Sequence, residues 1–268
     1  MPFLQDKVVQ LVSKCKLNRF PSAPKDKYHD MMLSSLFAGD DYTSTWTSSS
    51  PLFPLAFIAS YVLFHYLYVP NYELPLDYRR KWTLVKNTVI LIANAVLGVA
   101  YSATANKLEY SMWCQPVNPA APNKTLDHNR MKDLMFYFSL VKMLEASDTI
   151  VISLRGGRYP FGVFVHHAIM IALGWAGTVF VPAGTTAIWA MINCWGHVFV
   201  YLFLVMRAVF PGGWLDLENK DYWISRINNV QFLMVFITSV SSAVSGCGYP
   251  LVSSTFTGVF VAGLYFLF

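Results

Sequence analysis

Apolar residues along this chain are gathered in long blocks, not in helical stripes or strand-like alternation. Seven blocks run near Leu52–Val69, Thr88–Ala105, Asp133–Leu154, Phe161–Val181, Thr185–Phe210, Val230–Cys247 and Val252–Phe268. A helix crossing a hydrocarbon core about 30 Å thick needs roughly 20 such residues. Open sheets cannot satisfy their backbone in lipid, and the runs lack the dyad pattern of barrel strands. The pattern therefore predicts an all-α polytopic membrane protein, a bundle of about seven transmembrane helices. The first block begins only at Leu52, too far in for a signal peptide. Residues 1–50 read as a polar N-terminal arm and residues 51–268 as one membrane domain, without repeats or a separate soluble unit.

Composition agrees. Of 268 residues, 55% are hydrophobic and 13% charged, and the mean hydropathy is +0.41. A soluble domain carries about 25% charged residues, so this chain has too little polar surface to face water. Nothing in it resembles a nucleic-acid-binding module.

Charge sets an orientation. Arg79, Arg80 and Lys81 lie between blocks one and two, Arg155 and Arg158 between three and four, and Lys220 and Arg226 between five and six. The loops after blocks four and six carry no charge. Positive residues favour the cytosolic side, which puts the N-terminus in the lumen and the C-terminus in the cytosol. The lysines of the N-terminal arm and of the loop after block two run against this, but the rule weakens in longer segments. Asn123-Lys124-Thr125 is a glycosylation sequon on the predicted luminal side. Cys114 and Cys247 fall on that side too, where a disulfide can form, while Cys15 and Cys194 read as unpaired.

Block three breaks the apolar rule. Lys142, Glu145, Asp148 and Thr149 recur every three or four residues, and Arg155 follows Asp148 by two turns. Each ionised group at bilayer depth costs about 2.5–3.5 kcal/mol, so this row must face the bundle interior. Lys142 and Glu145 are spaced to neutralise each other. Block four contains His166 and His167, which point about 100° apart on a helix. Block five carries Asn193, His197 and Tyr201 at one-turn intervals. A buried ion-pair network that only fixes packing explains the carboxylates as well as function does. Three histidines on neighbouring helices beside them favour function.

The chemistry narrows by exclusion. These three imidazoles cannot hold two irons; a mononuclear site stays open but has little else behind it, and no metal is expected. No phosphate loop, CxxC pair or GxSxG elbow is present. The other option is nucleophilic and acid–base work by neutral imidazole, and a dry intramembrane pocket suits a long acyl chain.

Lys142-x-x-Glu145-x-x-Asp148-Thr149, followed by Leu154-Arg155, resembles the signature of the eukaryotic fatty-acid elongase (ELO) family. The family's HxxHH box reads Val163-Phe164-Val165-His166-His167, with valine in place of the first histidine. Asn193, His197 and Tyr201 match the next element. Asn228-Asn229-Val230-Gln231-Phe232 is similar to Gln-x-x-Gln-Phe, and Cys114-Gln115-Pro116-Val117-Asn118 to CQPVD. The resemblance covers the chain from about Leu52 onward.

It implies a helix bundle enclosing an acyl-chain pocket in the endoplasmic reticulum membrane. The implied activity condenses acyl-CoA with malonyl-CoA to 3-oxoacyl-CoA, CO2 and CoA, with no further cofactor. His166 would accept the acyl group, with His167 and His197 handling protons or positioning groups. Asn193 and Gln231 would bind the reacting carbonyls. Arg155 would meet CoA phosphates, Lys142 and Tyr201 would line the substrate site, and Glu145 and Asp148 would orient the histidines or Lys142. A Cys114–Cys247 bridge is implied as well. Other enzymes of the elongation cycle and a second copy of the chain are the protein partners it suggests. The family's charged tail would lie beyond Phe268. Two other readings stay open: a non-catalytic elongase-like protein binding lipid or a partner subunit, and a transporter using the charged row.

Overall fold

The computed structural model describes residues 52–67, 75–117, 125–153, 161–210, 220–246 and 248–267. These form helices α1 (Leu52–Leu67), α2 (Leu76–Lys107), α3 (Thr125–Glu145), α4 (Ser147–Ser153), α5 (Phe161–Phe180), α6 (Thr185–Val209), α7 (Lys220–Ser245) and α8 (Leu251–Leu267), with no strand among them. The protein is an all-α, multi-pass membrane protein. The N-terminal arm, Asn123, Arg155, Arg158 and Cys247 lie outside the described residues.

Each apolar block corresponds to helix, but helices run past the blocks, α3 starting eight residues before block three at Thr125, and block three is broken. α2 and α7 begin 12 and 10 residues before blocks two and six, at Leu76 and Lys220 rather than Thr88 and Val230. Hydropathy finds the stretch at hydrocarbon depth, whereas helix continues through the polar interface. At about 1.5 Å per residue, the 32 residues of α2 span some 48 Å. Arg80, in its first turns, donates to the Ala208 carbonyl at 3.4 Å, near the C-terminal end of α6. Block three is broken at Ala146 into α3 and α4, although the Ala146 amide still donates to the Lys142 carbonyl at 3.2 Å. α2, α5, α6 and α7 are long and apolar enough to cross a membrane, and α1 and α8 are shorter apolar helices.

Large apolar side chains are exposed along the helices. On α2, Val85, Val89, Ile92, Val96 and Val99 form an exposed stripe, while Asn87, Ile90, Asn94, Leu97 and Tyr101 face inward. In water the exposed stripe would be costly, but lipid is as apolar as valine. Without a hydrophobic drive between helices, packing rests on close approach and hydrogen bonds. α6 supplies Ala187, Ala190 and Cys194, and the turn before it Ala183, to the core shared with α2 and α3. Thr178 of α5 donates to its own Gly174 carbonyl at 2.9 Å and lies 3.1 Å from the Met135 carbonyl of α3.

Packing defines a ring. α2 packs on α3 and α6, α3 on α5, α6 on α7, and α7 on α8, with α1 outside against α5. Tyr61 of α1 stacks on Phe164 of α5 at 4.9 Å between ring centroids. No comparable packing joins α5 to α8 among the described residues, so the ring has a seam there.

Candidate active site

Glu145 is the hub. Only 1% exposed, it accepts from Lys142 Nζ at 2.7 Å through Oε2 and from Asn94 Nδ2 at 2.9 Å through Oε1. His197 Nδ1 lies 3.0 Å from Oε1, at ion-pair distance but out of line for a hydrogen bond. One carboxylate thus joins α2, α3 and α6. Lys142 also lies over the Phe138 ring at 4.8 Å. One turn further on, Asp148 pairs with Lys86 of α2 and accepts from the Tyr201 hydroxyl of α6. Asp148 therefore holds a lysine and a tyrosine, not a histidine. α2 runs antiparallel to this row and α6 parallel, which is why Asn94 precedes Lys86 and His197 precedes Tyr201 along it.

His166 and His167 are both buried on α5, with their rings edge-on at 5.5 Å. Each interacts electrostatically with His197, Lys142 and Glu145, so the three histidines share one neighbourhood. Phe232 of α7 stands against His166 at 6.1 Å between centroids. Val163 is half-buried, one turn before the histidine pair.

An apolar cavity of about 290 Å³ runs from this level toward the α5–α6 turn. Its polar end is formed by Asn193 and Gln231, each at least nine-tenths buried. Neither amide oxygen has a hydrogen-bond partner among the described residues. Buried amides left so are costly unless a ligand or water completes them. Gln231 lies flat against Gly196 of α6, where a Cβ would collide with its amide oxygen. Gly196 therefore makes the room through which Gln231 reaches the cavity. Lys142, Tyr201 and the three histidines do not line it; Phe232, which stands against His166, does.

The opposite end is closed by hydrogen bonds. The Tyr249 hydroxyl bonds Thr186 and lies 2.9 Å from Ser253 Oγ. Burial pushes the Tyr249 pKa up to about 12, so it acts as a neutral hydroxyl. Behind it the Gln115 amide donates to Thr185 Oγ1 at 3.0 Å, and the Thr185 amide donates to the Gln115 carbonyl at 3.0 Å. Gly184 has φ 70°, and a Cβ there would sit 2.7 Å from the Gln115 carbonyl oxygen. Cys114 is disulfide-bonded and its Sγ lies 3.8 Å from the Ser242 carbonyl, whereas Cys194 is a free, buried thiol. No group of three His, Cys, Asp or Glu side chains among the described residues is arranged to hold a metal ion.

Residues 46–268, most of the chain, match the family described as ELO: GNS1/SUR4. The chain belongs to this family. Very long chain fatty acid elongase 7 of Drosophila melanogaster is 26% identical over 162 residues, covering 59% of this chain and 48% of the relative. A very long chain fatty acid elongase of Aedes aegypti is 27% identical over 241 residues, covering 86% and 65%. Very long chain fatty acid elongase 1 of Mus musculus is 27% identical over 158 residues, covering 58% and 55%. The ELO chain thus spans between 48% and 65% of the length of these relatives.

Sequence reasoning missed Lys86, Asn94, Gly196 and Thr186 as parts of this region. A signal existed for the first two. Lys86 and Asn87 stand just before block two and Asn94 is a polar residue within it, two turns after Asn87 and on the same face.

Proposed function

We propose that this ELO-family protein elongates fatty acids by condensing acyl-CoA with malonyl-CoA, giving 3-oxoacyl-CoA, CO2 and free CoA. The observation that carries the reading is a buried imidazole–carboxylate cluster set one side chain, Phe232, from an apolar cavity that ends in the buried amides of Asn193 and Gln231. The imidazole of His166 attacks the thioester carbonyl, the C–S bond breaks, and CoA leaves as the thiol with a proton taken up through His167 or His197. Malonyl-CoA then loses CO2, and the resulting enolate attacks the acyl-imidazole carbon. A C–C bond forms and the C–N bond to His166 breaks, restoring the histidine. Asn193 and Gln231 donate N–H groups to the carbonyl oxygens on which negative charge develops. Glu145 positions His197, Lys142 compensates its charge, and Arg155 meets CoA phosphates near the cytosolic mouth. The protein resides in the endoplasmic reticulum membrane, with its N-terminus luminal and its C-terminus cytosolic.

Val163 is the observation that favours a second reading, a lipid-binding elongase-like protein without turnover, because valine can neither donate, accept nor ligate. Incubation of purified protein with acyl-CoA and carboxyl-labelled malonyl-CoA separates the two readings. Labelled CO2 and 3-oxoacyl-CoA are expected, and both are expected to vanish in His166→Ala. A folded protein inert across chain lengths refutes the condensation reading, and full activity in His166→Ala refutes the assignment of the nucleophile.

A further inference from the structure

The cavity is closed at its far end but not at its side. Its walls include Leu173, Ala176 and Phe180 of α5, and Val252, Phe256 and Thr257 of α8. Val252 and Phe256 line the cavity while remaining 68% and 57% exposed. Residues that face both a cavity and the lipid mark an opening between the two. It coincides with the seam between α5 and α8, where the ring is not closed by packing.

Depth makes the opening consequential. Eleven residues of α6 separate His197 from Thr186, about 16 Å at 1.5 Å per residue. One leaflet of a hydrocarbon core is about 15 Å deep, so an ordinary acyl chain reaches the floor. A longer chain meets Thr186 and Ser253, both tied to the Tyr249 hydroxyl and backed by the Gln115–Thr185 pair.

We infer that the α5–α8 seam is a lateral portal, through which the distal part of an acyl chain longer than one leaflet leaves the cavity and lies in the bilayer. Capacity for chain length is then not limited by the floor, and the elongated chain withdraws sideways into lipid instead of backing out past the histidines. The occupant follows from the lining, which is apolar apart from the two amides at the reactive end and the hydroxyls of Thr186, Ser253 and Thr257. This inference rests on the proposed acyl-chain substrate.

The test uses full-length protein in phosphatidylcholine nanodiscs, with palmitoyl-CoA and lignoceroyl-CoA analogues carrying a terminal diazirine. After irradiation, adducts are mapped by mass spectrometry with and without excess unlabelled lignoceroyl-CoA. The palmitoyl probe is expected to label Thr186 and Trp189 at the floor. The lignoceroyl probe is expected to label Leu173, Ala176, Val252 or Phe256, with protection by the competitor. Val89 and Ile92, exposed on α2, supply the unprotected background of a probe dissolved in lipid. Floor labelling by both probes, or seam labelling no more protectable than that of α2, overturns the portal. Conversion of the same analogues to 3-oxoacyl-CoA is scored separately. Protected seam adducts without turnover count against the activity and leave the portal standing, whereas turnover with floor-only adducts does the reverse.

Discussion

Removing the carboxylate of Glu145 tests whether it is the hub of the bundle. In Glu145→Leu, Lys142 stays 1% exposed with no counter-charge within 4 Å among the groups that now bind it. Breaking a buried pair from one side costs about 3–5 kcal/mol. At roughly 2–4 °C per kcal/mol for a chain of this size class, the apparent Tm falls by about 6–20 °C. The double variant Lys142→Met/Glu145→Leu removes the stranded charge. Asn94 keeps its bond to the Ile90 carbonyl at 3.1 Å, so the remaining loss is chiefly the Asn94 and His197 contacts with the carboxylate. At about 1 kcal/mol for each such contact, the double variant is expected to recover at least 1 kcal/mol relative to the single. The assay is thermal unfolding of the purified proteins in one detergent, followed by loss of the monodisperse peak. A single variant that melts with the wild type, or a double variant no more stable than the single, would show that the pair does not bear the charge balance inferred for it.

In Gly196→Ala the new methyl meets Gln231 Oε1 and also Gln231 Cδ at 2.9 Å, so the amide must move. Overpacking of this kind costs about 1–3 kcal/mol, and if it falls on the reacting geometry it appears as a roughly 5- to 150-fold loss in kcat. Partial rescue by the shorter Gln231→Asn is expected, and unchanged kinetics of Gly196→Ala would remove Gln231 from the site. Val163→His restores the box, and turnover is expected to rise by less than about tenfold because Glu145 already lies at ion-pair distance from His197; a larger rise in the malonyl-CoA assay would show that the box limits the wild-type protein. Thr185→Val removes the hydroxyl shared with Gln115 and Ser242, the latter 3.1 Å away, and should lower the apparent Tm by an amount equivalent to about 1–3 kcal/mol. Cavity binding of acyl chains in that variant is expected to stay within twofold, checked by acyl-CoA protection against unfolding.

Hydropathy located every helix because lipid selects side chains by transfer energy, and that property is local. It did not locate helix ends: the Leu76–Trp82 turns of α2 and the Lys220–Asn229 turns of α7 are helical but too polar for hydrocarbon. The row Lys142, Glu145, Asp148 was legible because charge in an apolar helix is expensive wherever it points. Its partners were less so. Asn94 and Lys86 are eight residues apart on another helix, and which of them meets Glu145 depends on how α2 and α3 are set against each other. Gly196 was invisible for a different reason. Its role lies in an absent side chain, which has meaning only once Gln231 is known to cross there. The cavity and its seam belong wholly to packing, since no spacing within α5 or α8 says whether the two helices touch.

The distribution of charge explains how such a site is tolerated at bilayer depth. Lys86 with Asp148 and Lys142 with Glu145 are two neutral pairs built from four charged side chains. They are not equivalent. Lys142 and Glu145 lie on one helix, so their pairing is available as soon as α3 forms, and it leaves Glu145 Oε1 open to Asn94 and His197 when α2 and α6 arrive. Lys86 and Asp148 lie on different helices and are matched only when α2 packs against α3 and α4. Insertion of α2 ahead of α3 therefore leaves Lys86 near the headgroups, where a lysine can snorkel at little cost, until Asp148 draws it in. The polar side chains that build the candidate active site are thus the same ones that set the register of α2 and α6 on the α3–α4 rod.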